Sequence, residues 1–280
     1  MNKYAVALLA SSAILAGCGG SDNDESNGTK NIKLDFAAKI NSADLVCGEN
    51  TETVGTAQTA ANVTYFGTYI SQLEVATNEG DITPVTLDES TTNDVERGIS
   101  LISFCGTDLK NKTITGTVAK EADYTRVRFT IGVPEEHNHL DATNTDGILS
   151  KEIAMHWNWT AGYKHARLDA NGWNIHLGST ACDGDGKTDP TSKCSNGNRP
   201  TYSFSNVNLS EDQIVLDYAD LVVQSNISSN TESTPPGCMS GGTDPECTAI
   251  FTALGLDLAT GQCKDNDCDS QTWVSIQKKD

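Results

Sequence analysis

The chain has 280 residues, with 38 acidic and 19 basic side chains and a formal net charge of −19. This length can bury the core of one large domain, and the hydrophobic fraction of 37% is above that of a disordered chain. The excess negative charge argues against nucleic-acid binding and against electrostatic docking on anionic lipid, because both need a basic surface.

Residues 1–17 have the features of a bacterial lipoprotein signal peptide. Lys3 precedes a short apolar run, and Leu15-Ala16-Gly17-Cys18 resembles a lipobox. Two or more acyl chains on Cys18 would anchor the protein stably. Because Gly19, and not the Asp that marks inner-membrane retention, follows Cys18, we expect an outer-membrane lipoprotein of the cell envelope, on its periplasmic or surface face. Residues 18–31 are expected to form a flexible tether.

Residues 32–225 are expected to form one domain of strands and loops. Apolar and polar residues alternate over 32–36, 63–75, 114–118, 127–131, 202–204 and 214–216, which is typical of half-buried strands. The pattern predicts a mainly β fold, an antiparallel β-sandwich with long loops. Short helices are predicted over 93–101 and near 247–254. Residues 226–280, rich in Ser, Thr, Pro, Gly and Cys, are expected to form a disulfide-stapled appendage.

Eight cysteines remain beyond Cys18, and an even number in an oxidising compartment indicates disulfides. No pair has the CxxC spacing of a zinc finger, so a thiolate metal site is not expected. The sequence alone does not choose the pairing. Proximity along the chain favours Cys47 with Cys105, Cys182 with Cys194, Cys238 with Cys247, and Cys263 with Cys268.

The residues with the most distinctive chemistry are concentrated in one segment, from His137 to Cys182. It contains all five histidines and three of the four tryptophans: His137, His139, His156, His165, His176, Trp157, Trp159 and Trp173. Neutral imidazoles that converge from separate strands and loops can bind copper, zinc or nickel. Alternatively, each histidine is an exposed polar residue or a hydrogen-bonded residue of the core.

Three motifs in this region occur in an order that resembles the MbnP family. They are Gly132-Val133-Pro134 followed by Asn138-His139, then Met155-His156-Trp157-Asn158-Trp159-Thr160-Ala161-Gly162-Tyr163-Lys164, then His176-Leu177-Gly178-Ser179-Thr180-Ala181-Cys182. These are secreted copper-binding proteins, also described as the four-cysteine half of a metallo-mystery pair and related to CorA and MopE. The resemblance covers roughly residues 31–223 and continues through Gly237-Cys238-Met239-Ser240.

The resemblance implies a copper site formed by His139, His176 and a kynurenine made from Trp157 or Trp159. The implied oxidant is an MbnH-like dihaem protein of the cytochrome c peroxidase type. Indole nitrogen is a poor ligand because its lone pair belongs to the aromatic system, whereas opening the ring gives an aniline amine that can bind a soft cation. The implied role is copper acquisition or handling without catalysis, and no nucleophile elbow or phosphate-binding loop is present.

Several features leave other interpretations open. His165 stands where family members commonly carry an aromatic, which favours a surface substitution over an added metal donor. His137 would share a face with His139 in an extended segment, and His156 would face away from both motif tryptophans. Residues 183–189 resemble the opening of a calcium loop, but Cys194 stands where the bidentate Glu is needed. A copper redox enzyme, or a structural surface lipoprotein without a metal, are the alternative functions.

Overall fold

The computed structural model describes residues 28–120, 122–157, 162–183 and 191–279. The predicted signal peptide and Cys18 therefore lie outside the described residues. The strands are β1 (Lys30–Ile40), β2 (Ala43–Asp44), β3 (Asn50–Val54), β4 (Thr59–Thr77), β5 (Ile82–Pro84), β6 (Thr86–Leu87), β7 (Asn93–Asp94), β8 (Ile99–Cys105), β9 (Thr113–Val118), β10 (Tyr124–Ile131), β11 (Lys164–Ala170), β12 (Trp173–Gly178), β13 (Thr180–Cys182), β14 (Cys194–Asn196), β15 (Thr201–Ser205), β16 (Asp212–Asp217), β17 (Gly237–Cys238) and β18 (Val274–Lys278). The helices are α1 (Ile148–Lys151), α2 (Tyr218–Leu221) and α3 (Pro245–Ala253), and 3-10 turns occupy Glu135–His137, Ile153–Met155 and Asn266–Cys268.

Two large sheets pack face to face, so the predicted mainly β sandwich is confirmed. The first has the order β18-β16-β1-β9-β6, with β2 added to β1, and the second has the order β15-β10-β4-β11-β12-β17. Strands β3, β5 and β8 also pair with β4, and β7 pairs with β8. Most pairings are antiparallel, but β1 pairs with β16 and β12 with β17 in parallel. The sheets are therefore mixed.

The alternating apolar residues point into the space between the two sheets. Ile32, Leu34 and Phe36 of β1 are at most 4% exposed, and the rings of Phe36 and Phe129 meet edge to face at 6.2 Å. A second, smaller apolar cluster lies on the outer face of the ten-stranded sheet, where Tyr69 of β4 packs with Val133, Met155 and Tyr163. The segment from residue 132 to residue 157 therefore covers the outside of this sheet.

The helix predicted over 93–101 is wrong, and the one near 247–254 is confirmed. Residues 93–94 form β7 and residues from Ile99 form β8, whose seven residues are all buried. A strand covered on both faces loses the alternation that identifies strands in a sequence. Helix α3 begins with Pro245 in its first turn, and the Asp244 side chain caps it by accepting a hydrogen bond from the Glu246 amide.

Four disulfides form with the pairing that proximity favoured: Cys47–Cys105, Cys182–Cys194, Cys238–Cys247 and Cys263–Cys268. The C-terminal segment contributes β17 and β18 to the two sheets and places Trp273, 1% exposed, in the main core. This segment is thus packed into the sandwich itself. Among the described residues there is no helix with the length and apolar character needed to cross a membrane.

Candidate metal centre

Strand β12 separates the core from the outer face that carries the candidate site. Trp173, Ile175 and Leu177 point into the core, so His176 and Gly178, at alternating positions, face outward. Trp173 consequently lies on the other side of the sheet from His176, although it is only three residues away. His176 is paired with Arg167 on the neighbouring strand β11.

The His176 ring is held by a carboxylate of β11, and an arginine of the same strand holds that carboxylate. His176 Nε2 lies 2.8 Å from Asp169 Oδ1, and Arg167 donates to Asp169 Oδ2 through Nε at 2.9 Å and Nη2 at 2.6 Å. The Arg167 guanidinium also lies 4.2 Å from the centre of the Tyr65 ring. Within the described residues, Nδ1 of His176 has no hydrogen bond, so Nδ1 is the nitrogen left for a metal.

The electrostatics of this group favour a neutral imidazole. Burial lowers the pKa of His176 and outweighs the opposing effect of its hydrogen bond to Asp169. Burial also raises the pKa of Asp169, but the hydrogen bonds from His176 and Arg167 outweigh it, and the net pKa is below the usual value. A neutral imidazole beside an ionised carboxylate is the arrangement that orients histidine ligands in metal sites.

Trp157 lies directly over the strand that carries His176. Its indole is half-buried and so close to Gly178 that a Cβ added there would be 2.3 Å from Trp157 Cζ3. Lys164 Nζ is 5.8 Å from the Trp157 ring centre, and burial lowers the pKa of Lys164 to about 8. Since Gly178 and His176 share the outer face two residues apart, Trp157 packs on the same face of β12 as His176. Trp159 lies outside the described residues.

His139 lies in the segment 132–157 that covers the sheet, and its ring contacts the Cys182–Cys194 disulfide. It is 6% exposed, and its Nε2 lies 3.3 Å from Cys194 Sγ. The preceding Asn138 accepts a hydrogen bond through Oδ1 from the Tyr163 amide. A Cβ on Gly162 would be 1.9 Å from the Asn138 carbonyl oxygen, and Gly162 has φ +74°, so only glycine fits there.

A backbone hydrogen bond links this part of the chain to Trp157. Trp157 donates its amide hydrogen to the carbonyl of Gly162, the residue whose Cα lies against Asn138. Gly162 thus lies against Asn138, the residue before His139, and Trp157 lies against Gly178. These contacts connect the segment that carries His139 to Trp157, and Trp157 to the strand that carries His176.

The donor atoms here suit a soft or borderline cation. His139 Nε2 and the sulfur atoms of Cys182 and Cys194 lie within 4.8 Å of one another. Both sulfurs belong to a disulfide, and because metals bind thiolates, these sulfurs are not strong ligands in the oxidised protein. The imidazole nitrogens of His139 and His176 remain as the donors in this region that suit a soft or borderline cation.

The remaining histidines have other roles, and the expectation for His165 is wrong. His165 is fully buried: its Nδ1 accepts from the Val133 amide at 3.2 Å, and its Nε2 lies 3.1 Å from both Ser179 Oγ and the Gly197 carbonyl. Burial lowers its pKa to about 3. The surface expectation came from His165 replacing the aromatic that family members commonly carry, but the imidazole occupies a buried position where polar partners satisfy both ring nitrogens.

His137 and His156 are both half-buried. His137 ends the 3-10 turn Glu135–His137, so the extended segment that would have put it on the face of His139 is absent. The His156 ring packs edge to face on Tyr163 at 4.9 Å, and burial lowers its pKa. A packing role therefore describes His156. The residues 184–190 of the candidate calcium loop lie outside the described residues.

Sequence reasoning missed two residues that hold this site together. Asp169 is one of 38 acidic residues, and only the register of β11 and β12 reveals its contact with His176. Ser240 accepts a hydrogen bond from the Gly178 amide at 3.0 Å and donates one to the His176 carbonyl at 3.0 Å. The Gly-Cys-Met-Ser motif was visible in the sequence, but its contact with β12 was not.

The comparisons agree with this architecture. The MbnP family model matches residues 29–240. The structure of MbnP from Methylosinus trichosporium superimposes with a TM-score of 0.80 at 24% sequence identity, over 90% of this chain and 99% of that chain. No curated protein matches the chain. Because the family model spans most of the chain, including every site residue described above, the protein belongs to the MbnP family.

Proposed function

We propose that this protein is a copper-binding lipoprotein of the cell envelope, with a site made of His139, His176 and a kynurenine derived from Trp157. Membership of the MbnP family supports copper handling as the function. The observation that carries the proposal is the position of the Trp157 indole on Gly178, beside the carboxylate-oriented His176. The protein binds the metal and is not itself an enzyme.

The proposed ligands suit a soft cation of low coordination number. Two neutral imidazoles bind Cu(I) well but leave it short of a third donor. The unmodified indole cannot fill this position. The aniline amine of kynurenine can, and it forms on a side chain that already lies at the site. Copper binding therefore depends on prior oxidation of the protein.

The oxidation has a defined balance. A dihaem peroxidase-like partner uses two equivalents of peroxide, which accept four electrons and leave two oxygen atoms on the opened pyrrole ring of N-formylkynurenine. Water then releases the formyl group as formate. Trp157 is half-buried rather than enclosed, so an oxidant docked on the outer face is close to its ring. Trp159 is the alternative target in the same motif.

Co-expression with and without the dihaem partner, followed by peptide mass spectrometry and copper analysis, tests this function. We expect the peptide with Trp157 and Trp159 to gain two oxygen atoms and lose one carbonyl only when the partner is present. One copper per modified protein should follow. His139→Ala and His176→Ala should each lower copper affinity by at least tenfold, which is about 1.4 kcal/mol.

Matched variants separate the site from its surroundings. Trp173→Phe changes a core indole on the opposite side of β12 and should leave copper binding intact, as should His156→Ala. Full copper affinity in protein whose tryptophans are unmodified would contradict the proposal. Absence of copper from modified protein would instead favour a structural surface lipoprotein, and copper-dependent turnover of an oxidant would favour a redox enzyme.

A further inference from the structure

The Cys182–Cys194 disulfide is placed unlike the other three. Its two cysteines are directly opposed on the antiparallel pair β13 and β14, and both are half-buried. In each of the other disulfides, at least one cysteine is no more than 1% exposed. Within the described residues, it is also the only disulfide that takes part in a three-residue group with metal-binding distances, completed by His139.

We propose that reduction of this disulfide creates a second metal site, in which the thiolates of Cys182 and Cys194 and the imidazole of His139 bind a thiophilic cation such as Zn²⁺, Cd²⁺ or Cu(I). A dithiol reductant supplies two electrons and two protons, the S–S bond breaks, and the reductant becomes its own disulfide. Metal binding then releases the two thiol protons. The oxidised disulfide holds the same atoms in a form that does not bind metal.

The positions of the donor atoms fit such a site. Zn–S bonds of about 2.3 Å and Zn–N bonds of about 2.0 Å place the ligands of a tetrahedral zinc site roughly 3.5 Å apart. His139 Nε2 is already 3.3 Å from Cys194 Sγ. Only the two sulfurs have to separate, and rotation of the cysteine side chains achieves this once the bond is broken.

The backbone around these cysteines is held independently of the disulfide. Asp183 donates its amide hydrogen to the Lys193 carbonyl at 2.9 Å, and the Cys194 amide donates to Glu135 Oε1 at 2.8 Å. Glu135 is further fixed by Arg199, whose Nη2 lies 3.3 Å from Oε2. The strand pair and the covering segment with His139 therefore have contacts that survive reduction, and the site is pre-arranged.

His139 would belong to one centre at a time. In the oxidised protein it serves the copper site proposed above, and in the reduced protein it joins the two thiolates. The redox state of Cys182 and Cys194 would thus decide whether His139 binds a metal together with His176 or together with the two thiolates. This inference does not require oxidation of Trp157, so it stands or falls separately from the proposed function.

The test is titration of the purified full-length protein with Cd²⁺ before and after treatment with a phosphine reductant, in the absence of the dihaem partner. We expect one Cd²⁺ per reduced protein, with thiolate-to-metal charge-transfer absorption in the ultraviolet, and little binding before reduction. Bound Cd²⁺ should also slow alkylation of Cys182 and Cys194, as mapped by peptide mass spectrometry.

Three variants make the result specific. Cys182→Ser/Cys194→Ser should abolish the absorption, and His139→Ala should weaken binding at least tenfold. Cys263→Ser/Cys268→Ser, which removes a disulfide without a histidine in its group, should retain full binding. Circular dichroism of each reduced sample checks that the sandwich stays folded. Equal Cd²⁺ binding by the Cys182→Ser/Cys194→Ser variant, or unfolding of the wild-type protein on reduction, would overturn the proposal.

Discussion

Asp169 offers a direct way to test how the imidazole of His176 is oriented for the proposed copper site. Its Oδ1 lies 2.8 Å from His176 Nε2, while Arg167 donates twice to Oδ2. This arrangement stabilises the tautomer with hydrogen on Nε2 and the lone pair on Nδ1. Asp169→Asn keeps the size of the side chain but removes the charge that stabilises this tautomer and that strengthens the donor ability of the ring.

The expected loss of copper affinity follows from the contacts that the substitution removes. Replacing the carboxylate partner of a metal-binding histidine typically costs about 10- to 100-fold in metal affinity, which corresponds to roughly 1.4–2.8 kcal/mol. We expect the upper part of this range, because the substitution also breaks the ion pair between Arg167 and Asp169. This pair is only partly exposed, so the freed guanidinium remains near the site.

Two measurements on Asp169→Asn separate an effect on the ring from a loss of folding. Nitrogen NMR of the metal-free protein reports the His176 tautomer, which we expect to shift away from the Nε2–H form. Competition with a Cu(I) chelator gives the affinity. Asp257→Asn, which changes an exposed carboxyl bonded to Thr260, is the matched control. An unchanged tautomer together with unchanged affinity would refute the reasoning.

Three further predictions concern other parts of the chain. Gly178→Ala places a Cβ 2.3 Å from the Trp157 ring, so it should lower stability by about 1–3 kcal/mol and reduce kynurenine yield; undiminished yield by peptide mass spectrometry contradicts this. His165 has a pKa of about 3 in the folded protein against 6.5 for an unperturbed histidine side chain, so the native state binds fewer protons than the unfolded chain. Its contribution to stability is therefore lost as pH falls from 6.5 towards 3, by about 1.4 kcal/mol per pH unit. Urea unfolding at pH 7.5 and 4.5 should show a smaller acid loss for His165→Gln than for wild type. Cys18→Ser should abolish lipidation, and a lipid-shifted mass in that variant would disprove the lipobox.

The fold was predictable wherever a strand has one buried face. β1 alternates buried and less buried residues along its length, and the sequence shows this pattern directly. β8 does not, because the covering segment buries its outer side as well. The outer side of β8 is buried by residues 132–157, which are distant in sequence. The local sequence of β8 therefore does not show that both of its faces are buried.

The sequence provided the candidate ligands, whereas the contacts that support them became visible only in the structure. His139 and His176 came from the resemblance to the MbnP family, since spacing alone could not pair residues so far apart in the chain. Asp169 became recognisable only through the register of β11 against β12. His165 was misjudged because a polar residue in place of an aromatic suggested a surface position, whereas its buried partners, the Val133 amide, Ser179 and the Gly197 carbonyl, come from distant parts of the chain.

The C-terminal segment explains how β12 is held rigid beside the site. β12 would otherwise be exposed on the side away from β11, and β17 pairs with it only through Gly237 and Cys238. Ser240 extends this pairing with its side chain, because its hydroxyl bonds to both the Gly178 amide and the His176 carbonyl. The backbone on either side of the His176 ring is thereby fixed from the edge. The match to the MbnP family extends to this same residue, Ser240. The region shared with the family therefore includes the hydroxyl that holds the backbone of His176 and of Gly178, the residue on which Trp157 packs.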